Sequence, residues 1–182
     1  VSADDLYPQL RDRTSRFVYV QRKADPLRAA TLAQLNLPGL GFYPEELRAY
    51  PQGNVAAQVL GFAGVDNKGL EGLERSLDKT LAGTPGSEVV IKDPYGRAIE
   101  VVEARPERPG KNVTLTIDHQ LQASAEEVLA RTVRSWNARG ATAIVLDPRT
   151  GAVLAMANYP SFDVNRFGTA PAEARRNRAV TD

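Results

Sequence analysis

The sequence predicts an α+β fold in two parts. Three observations point there. Runs at 16–22, 88–92, 97–103, 113–117, 142–147 and 152–158 have the apolar content and alternation of strands. Segments at 26–35, 54–60, 70–81 and 119–137 have helical spacing with suitable start and stop signals. Between the two sets lies ARPERPGKN at 104–112, whose two prolines and glycine mark a linker.

In chain order, RFVYVQR at 16–22 puts Phe17 and Tyr19 on one face and Val18 and Val20 on the other, as a short strand does. Asp25-Pro26 starts a helix, since the carboxylate caps free amides and proline suits the first helical position. That helix should end before Leu37-Pro38-Gly39. Residues 40–50 are expected to be extended. Asn54 is expected to cap a short helix with the apolar stripe Val55, Ala56, Val59 and Leu60. Leu70, Leu73, Leu77 and Leu81 predict one helix over 70–81, stopped by Gly83-Thr84-Pro85-Gly86. A hairpin follows, EVVIK and RAIEVVE, turning at Asp93-Pro94-Tyr95-Gly96.

The second part opens with a strand, VTLTI at 113–117. Asp118 caps a helix over 119–137, with Leu121, Ala125, Val128, Leu129, Thr132, Val133 and Trp136 expected inside. Two strands then flank a turn at 147–151. Neither face of these strands is polar, the pattern of a sheet covered on both sides. The 119–137 helix covers one face, and nothing evident covers the other. Each large aliphatic side chain left exposed forgoes about 1.5–3 kcal/mol. The second part is therefore expected to be unfinished at Asp182 and to expose apolar surface around 143–157.

Composition narrows the function classes. The chain has 23 basic and 22 acidic residues, a net charge of +1, which argues against a dedicated nucleic-acid binder. It has no cysteine, which excludes disulfides, thiolate metal sites and a thiol nucleophile. A single histidine, His119, cannot hold zinc without partners. No apolar run approaches the roughly 20 residues that cross a bilayer. No signal-like segment stands at Val1, so any targeting segment would lie upstream.

Four stretches carry a family resemblance: YPQGNVAAQVLGFAG (50–64), NKGLEGLERSLDKTLAGTPG (67–86), DPYGR (93–97), and TAIVLDPRTGAVLAMANYPSFDVN (142–165) running on to RNRAVTD (176–182). In content, order and spacing the chain resembles the N-terminal part of a class B penicillin-binding protein, closest to the division-type, FtsI-like enzymes. The resemblance implies a non-catalytic pedestal, or dimerisation domain, at 1–109. It implies the first strands and helix of a transpeptidase domain at 110–182. The family's S-x-x-K motif follows the RNRAVTD-like segment shortly, and S-x-N and K-T-G come later; all three are expected beyond Asp182. Family members often carry histidine where this chain has Gln58.

The resemblance also implies an extracytoplasmic location, with the longer protein anchored by an N-terminal membrane helix. The partners it implies are the rest of the transpeptidase domain, other cell-wall synthesis or division proteins including a SEDS-type glycosyltransferase, and a second copy of the chain. No metal or organic cofactor is implied. The rival readings are a free-standing interaction module with no catalytic half, and an enzyme built on Ser76 and Lys79.

The second rival arises because lookalikes of all three catalytic motifs occur in order: Ser76-Leu77-Asp78-Lys79, Ser135-Trp136-Asn137 and Arg149-Thr150-Gly151. The chemistry needs serine and lysine at a helix start in a cleft, with the lysine taking the serine's proton. Ser76 and Lys79 instead fall inside a surface helix, Ser135 at a helix end, and Thr150 in a turn. No residue of this chain is therefore assigned a catalytic role. Glu71 and Glu74 read as the wet face and N-terminal acids of a helix. Asp93 and Arg97 read as hairpin-turn residues. The residues expected at an interdomain or partner contact are Gly69, Glu71, Glu74, Arg97, Asn177 and Arg178.

Overall fold

The computed structural model describes all residues except Val1, Arg13, Arg16 and 95–97. The chain divides into two compact units, Val1–Arg48 and Ala49–Asp182. Residues 104–112, the expected linker, lie inside the second unit.

In the first unit, α1 (Ala3–Arg11) is a helix that sequence reading missed. Its signal is local: Ser2 accepts a bond from the Asp5 amide, and Asp4 and Asp5 sit in the first turn. Helix α2 (Pro26–Ala33) forms as expected, with Asp25 accepting from the Arg28 amide and proline leading the first turn. Residues 17–22 do not form the expected strand. A strand needs a ladder partner, and alternation alone does not provide one. Lys23 instead takes a left-handed backbone (φ 49°), and the chain is pinned there by Glu45. That carboxylate pairs with Arg22 and accepts the Lys23 amide at 2.7 Å. The Lys23 amide foremost, then Arg22, holds the Glu45 carboxyl below its usual range. Phe17, Tyr19 and Tyr43 form an edge-to-face cluster beside it.

The second unit begins with three short helices, α3 (Ala57–Leu60), α4 (Gly72–Ser76) and α5 (Asp78–Leu81). The single helix expected over 70–81 is broken at Leu77. The break lets the Asp78 carboxylate turn back and accept the Gly69 amide at 2.7 Å. Asn54 does not cap α3; the N-cap is Ala56, in a left-handed conformation with no side-chain cap of its own. The backbones of Gly61 and Gly72 cross so closely that a Cβ on Gly61 would lie 1.9 Å from the Glu71 carbonyl oxygen. Both glycines also have positive φ, so any other residue would be strained there.

Strands β1 (Ser87–Lys92) and β2 (Ala98–Arg105) make the expected antiparallel hairpin, with irregularities in register at Val89/Val90 and Ile91/Lys92. Of the expected turn, Asp93-Pro94-Tyr95-Gly96, the last two residues lie outside the described residues. A bridge between Thr84 and Arg108 ties the base of the hairpin together.

Helix α6 (His119–Trp136) starts at Asp118, whose carboxylate accepts from the Gln120 and Leu121 amides. It packs on the second hairpin, β3 (Ala141–Leu146) and β4 (Val153–Tyr159). Ala141 pairs with Tyr159 and Leu146 with Val153. The inner stripe of α6 is only partly the expected one. Val133 is buried and Ala125 and Leu129 are half-buried as expected, whereas Leu121, Val128, Thr132 and Trp136 are exposed and Gln122 is buried in their place.

Residues 113–117 form no strand. The Asp118 amide, bonded to the Leu154 carbonyl at 2.8 Å, and the Thr116 hydroxyl, bonded to the Val153 carbonyl at 2.7 Å, reach the outer edge of β4. The next backbone groups along that edge belong to Met156 and are taken by Gln122.

The expectation of apolar exposure is met on β3, where Ile144, Val145 and Leu146 are exposed, while Ala155 and Ala157 of β4 are fully buried. A 3₁₀ turn (Val164–Thr169) and two short helices, α7 (Ala172–Arg175) and α8 (Arg178–Thr181), complete the chain, with α8 lying on β3 and β4.

Candidate functional site: a joint within the second unit

A buried core in the second unit joins the 50–78 segment to the 118–182 segment. Its apolar centre is Ala57, Phe62, Phe162, Val164 and Ala174, with Tyr50, Phe167 and Ala170 at the margin. Phe62 stacks on Phe167 at 4.1 Å between centroids and meets Phe162 edge-on at 6.2 Å. Such contacts add about 0.5–1.5 kcal/mol each beyond the area they bury.

Polar side chains close the joint from several sides. The Tyr50 hydroxyl donates to Glu74 at 3.2 Å and accepts the Ala63 amide at 3.0 Å. Glu74 is buried, contrary to the wet face expected of it, because it faces Tyr50 rather than solvent. Asn165 brackets Tyr50, accepting its amide at 3.1 Å and donating to its carbonyl at 2.8 Å. Gln58, also buried, donates to the Pro160 carbonyl at 3.0 Å and to the Ala174 carbonyl at 2.7 Å.

From α6, Glu126 accepts the Ala56 amide at 2.8 Å, supplying the acceptor that Asn54 was expected to give. Burial raises the carboxyl of Glu126 above its usual range, against the opposing effect of bonds from Gln122 and Ala56. Gln122 in turn donates to Glu126 at 2.6 Å and to the Met156 carbonyl at 3.1 Å, and accepts the Met156 amide at 2.7 Å. Its amide group thus acts as a one-residue third strand on the free edge of β4.

The six residues expected at a contact are distributed as follows. Gly69, Glu71 and Glu74 lie together on the α4 side. A Cβ on Gly69 would lie 2.0 Å from the Glu74 carbonyl oxygen, so only glycine fits that crossing. Glu71 faces Arg175 at 3.5 Å, and the Arg175 guanidinium lies over the Phe62 ring at 5.8 Å. Asn177 and Arg178 lie on the other side. Asn158 donates to Asn177 at 3.1 Å and accepts the Ala179 amide at 3.2 Å. Arg178 pairs with Glu173 at 2.7 Å and Asp182 at 3.0 Å. Arg97 lies outside the described residues.

Sequence reading missed Tyr50, Gln58, Gln122, Glu126, Asn158 and Asn165. For Gln58 the available signal was a polar residue within an apolar stripe. For the others the partners are distant in sequence, and no local pattern marks them.

The motif lookalikes are engaged in local backbone structure. Ser76 donates to the Gly72 carbonyl at 3.0 Å, and Ser135 to the Arg131 carbonyl at 3.0 Å. Thr150 donates to Asp147 at 3.0 Å inside the β3–β4 turn. The Asp147 carboxyl is held below its usual range, first by the Arg149 amide and then by the Thr150 hydroxyl. Among the described residues no group of His, Asp or Glu is arranged to hold a metal.

Residues 2–115 match the penicillin-binding protein dimerisation domain, and residues 141–182 match the penicillin-binding protein transpeptidase domain. The chain belongs to the penicillin-binding proteins. It is 42% identical over 167 residues to the peptidoglycan D,D-transpeptidase FtsI of Escherichia coli, covering 92% of this chain and 28% of that protein. It is 42% identical over 185 residues to the probable peptidoglycan D,D-transpeptidase PenA of Neisseria gonorrhoeae, covering 100% of this chain and 32% of that protein. The chain thus spans less than a third of the length of these penicillin-binding proteins.

Among solved structures, it is similar to a peptidoglycan synthetase from Bifidobacterium adolescentis, with TM-score 0.64, 26% identity, and coverage of 96% of this chain and 32% of that one. It also resembles penicillin-binding protein 3 from Mycobacterium, with TM-score 0.56, 38% identity, and coverage of 67% and 24%. The joint is therefore a meeting of the two family regions. Phe62, Gln58 and Glu71 come from the dimerisation part, and Phe162, Phe167, Ala174 and Arg175 from the transpeptidase part.

Proposed function

We propose that this chain is a non-catalytic part of a peptidoglycan D,D-transpeptidase, which seats the catalytic domain on its pedestal and presents surfaces to other cell-wall proteins. The observation that carries this reading is the shared core, in which Phe62 is enclosed by Phe162 and Phe167. A core built from both family regions transmits position, because packed interiors resist small displacements. In this reading the pedestal ends near residue 109 and the transpeptidase part begins near 110.

Glu71 with Arg175 is a contact through which the pedestal sets the course of 171–182, and Asn177 and Arg178 hold that segment to Asn158 and Glu173. The longer protein would attack the penultimate D-alanine of a stem peptide with its serine, release the terminal D-alanine, and pass the acyl group to an amine of a neighbouring stem. It would work outside the cytoplasmic membrane, tethered by a helix. No helix among the described residues here is long and apolar enough to cross a membrane. Its partners would be the rest of the transpeptidase domain, a SEDS-type glycosyltransferase or other division proteins, and a second copy.

Incubating the 182-residue chain with a fluorescent penicillin, followed by intact mass measurement, tests the non-catalytic reading. No covalent adduct is expected. An adduct that disappears in Ser76→Ala would overturn it.

A further inference from the structure

We propose that Gln58 is a positioning residue that couples α3 to the α7–α8 segment. It is 5% exposed, and its one amide nitrogen serves two carbonyls, Pro160 at 3.0 Å and Ala174 at 2.7 Å. A carboxamide nitrogen has two hydrogens, so both bonds are made by one rigid group. Ala174 lies in the last turn of α7, where helix carbonyls have no partner within the helix.

Helices α7 and α8 span four residues each and have no side-chain caps. Helices that short do not hold themselves. Gln58 therefore supplies the acceptor-side cap that α7 lacks, and supplies it from the dimerisation part of the chain. The next residues depend on that placement. Arg175 lies over Phe62 and faces Glu71, and Asn177 meets Asn158.

A shift of α3 thus displaces α7 and everything after it, while β4, though it also touches α8, has its own anchorage on α6 through Gln122 and on the residue before that helix, Asp118. The consequence for catalysis rests on the function proposed above, but the coupling does not.

Hydrogen exchange measured by mass spectrometry on the full 182-residue chain tests it, comparing wild type with Gln58→Met and Gln58→His. Methionine keeps the volume and removes both donors. Neutral histidine has one N–H and keeps at most one bond. In Gln58→Met, exchange over 172–182 should rise on the order of tenfold, the effect of leaving a buried carbonyl unpaired. Exchange in β3 and β4 should change less than about twofold, since local openings are separable from global ones. Gln58→His should fall between, and it carries the same comparison if Gln58→Met does not fold. An equal rise across 141–182, or no rise over 172–182, would overturn the coupling. A penicillin adduct on the chain alongside the expected exchange pattern would overturn the proposed function and leave the coupling standing.

Discussion

Gln122 gives the sharpest energetic test of how the transpeptidase part is held together. Its side chain is fully buried and makes three hydrogen bonds, two to Met156 and one to Glu126. Gln122→Met preserves length and removes every one of them. The Met156 amide and carbonyl then face an apolar side chain that offers neither group a partner. Each unpaired backbone group costs about 1–3 kcal/mol. The loss should therefore be about 2–5 kcal/mol, allowing for partial exposure of Met156. For a chain of this size that corresponds to a fall of roughly 4–20 °C in Tm, at about 2–4 °C per kcal/mol. Circular dichroism during thermal and urea unfolding measures it, with an unchanged urea slope showing that the change lies in stability rather than compactness. A loss below about 1 kcal/mol would mean that β4 does not depend on this side chain and that its edge is covered otherwise.

Two further perturbations follow from the same geometry. The Glu126 carboxyl is raised by burial, so it favours the folded state below the ordinary glutamate range, and that contribution is lost as pH rises through the raised value. Unfolding measured between about pH 4 and pH 7 should show wild type losing stability relative to Glu126→Gln as pH rises, and parallel curves would contradict the shift. Gly61→Ala places a methyl 1.9 Å from the Glu71 carbonyl oxygen and also strains the backbone. It should abolish a cooperative unfolding transition, and a wild-type Tm would contradict the close crossing of Gly61 and Gly72.

The sequence was most legible where local chemistry decides the structure. Asp25-Pro26 and Asp118 start helices as expected, and the β1–β2 and β3–β4 hairpins have their expected strands. It was less legible where tertiary partners decide. RFVYVQR alternates like a strand but finds no ladder. VTLTI has strand propensity, yet the β4 edge it would need is already occupied by a glutamine from α6. The helix over 70–81 has the right leucine spacing but breaks so that Asp78 can reach Gly69. The wet face assigned to Glu74 fails for a similar reason, since Tyr50 lies 24 positions away in sequence and no local pattern brings it near. The family resemblance, by contrast, rested on four long stretches in order, and both family regions are matched. Gly69, Glu71, Asn177 and Arg178 lie within those stretches. The amides and carboxylates that make the joint carry no such mark, because their roles depend on residues 34 to 116 positions apart.

The central claim is that the dimerisation part and the transpeptidase part meet within one folded unit, with Glu71 facing Arg175. Because the chain has no cysteine, Glu71→Cys with Arg175→Cys creates the only two thiols present. The half-buried ion pair they replace is long, at 3.5 Å, and even a well-made surface pair is worth only about 0–1 kcal/mol, so the fold should survive. A short bis-thiol reagent applied to dilute protein should give an intramolecular link, read as one added bridge on a monomer of intact mass, and neither single variant should give it. Reaction of both thiols without a bridge, or bridges only between chains, would contradict the account.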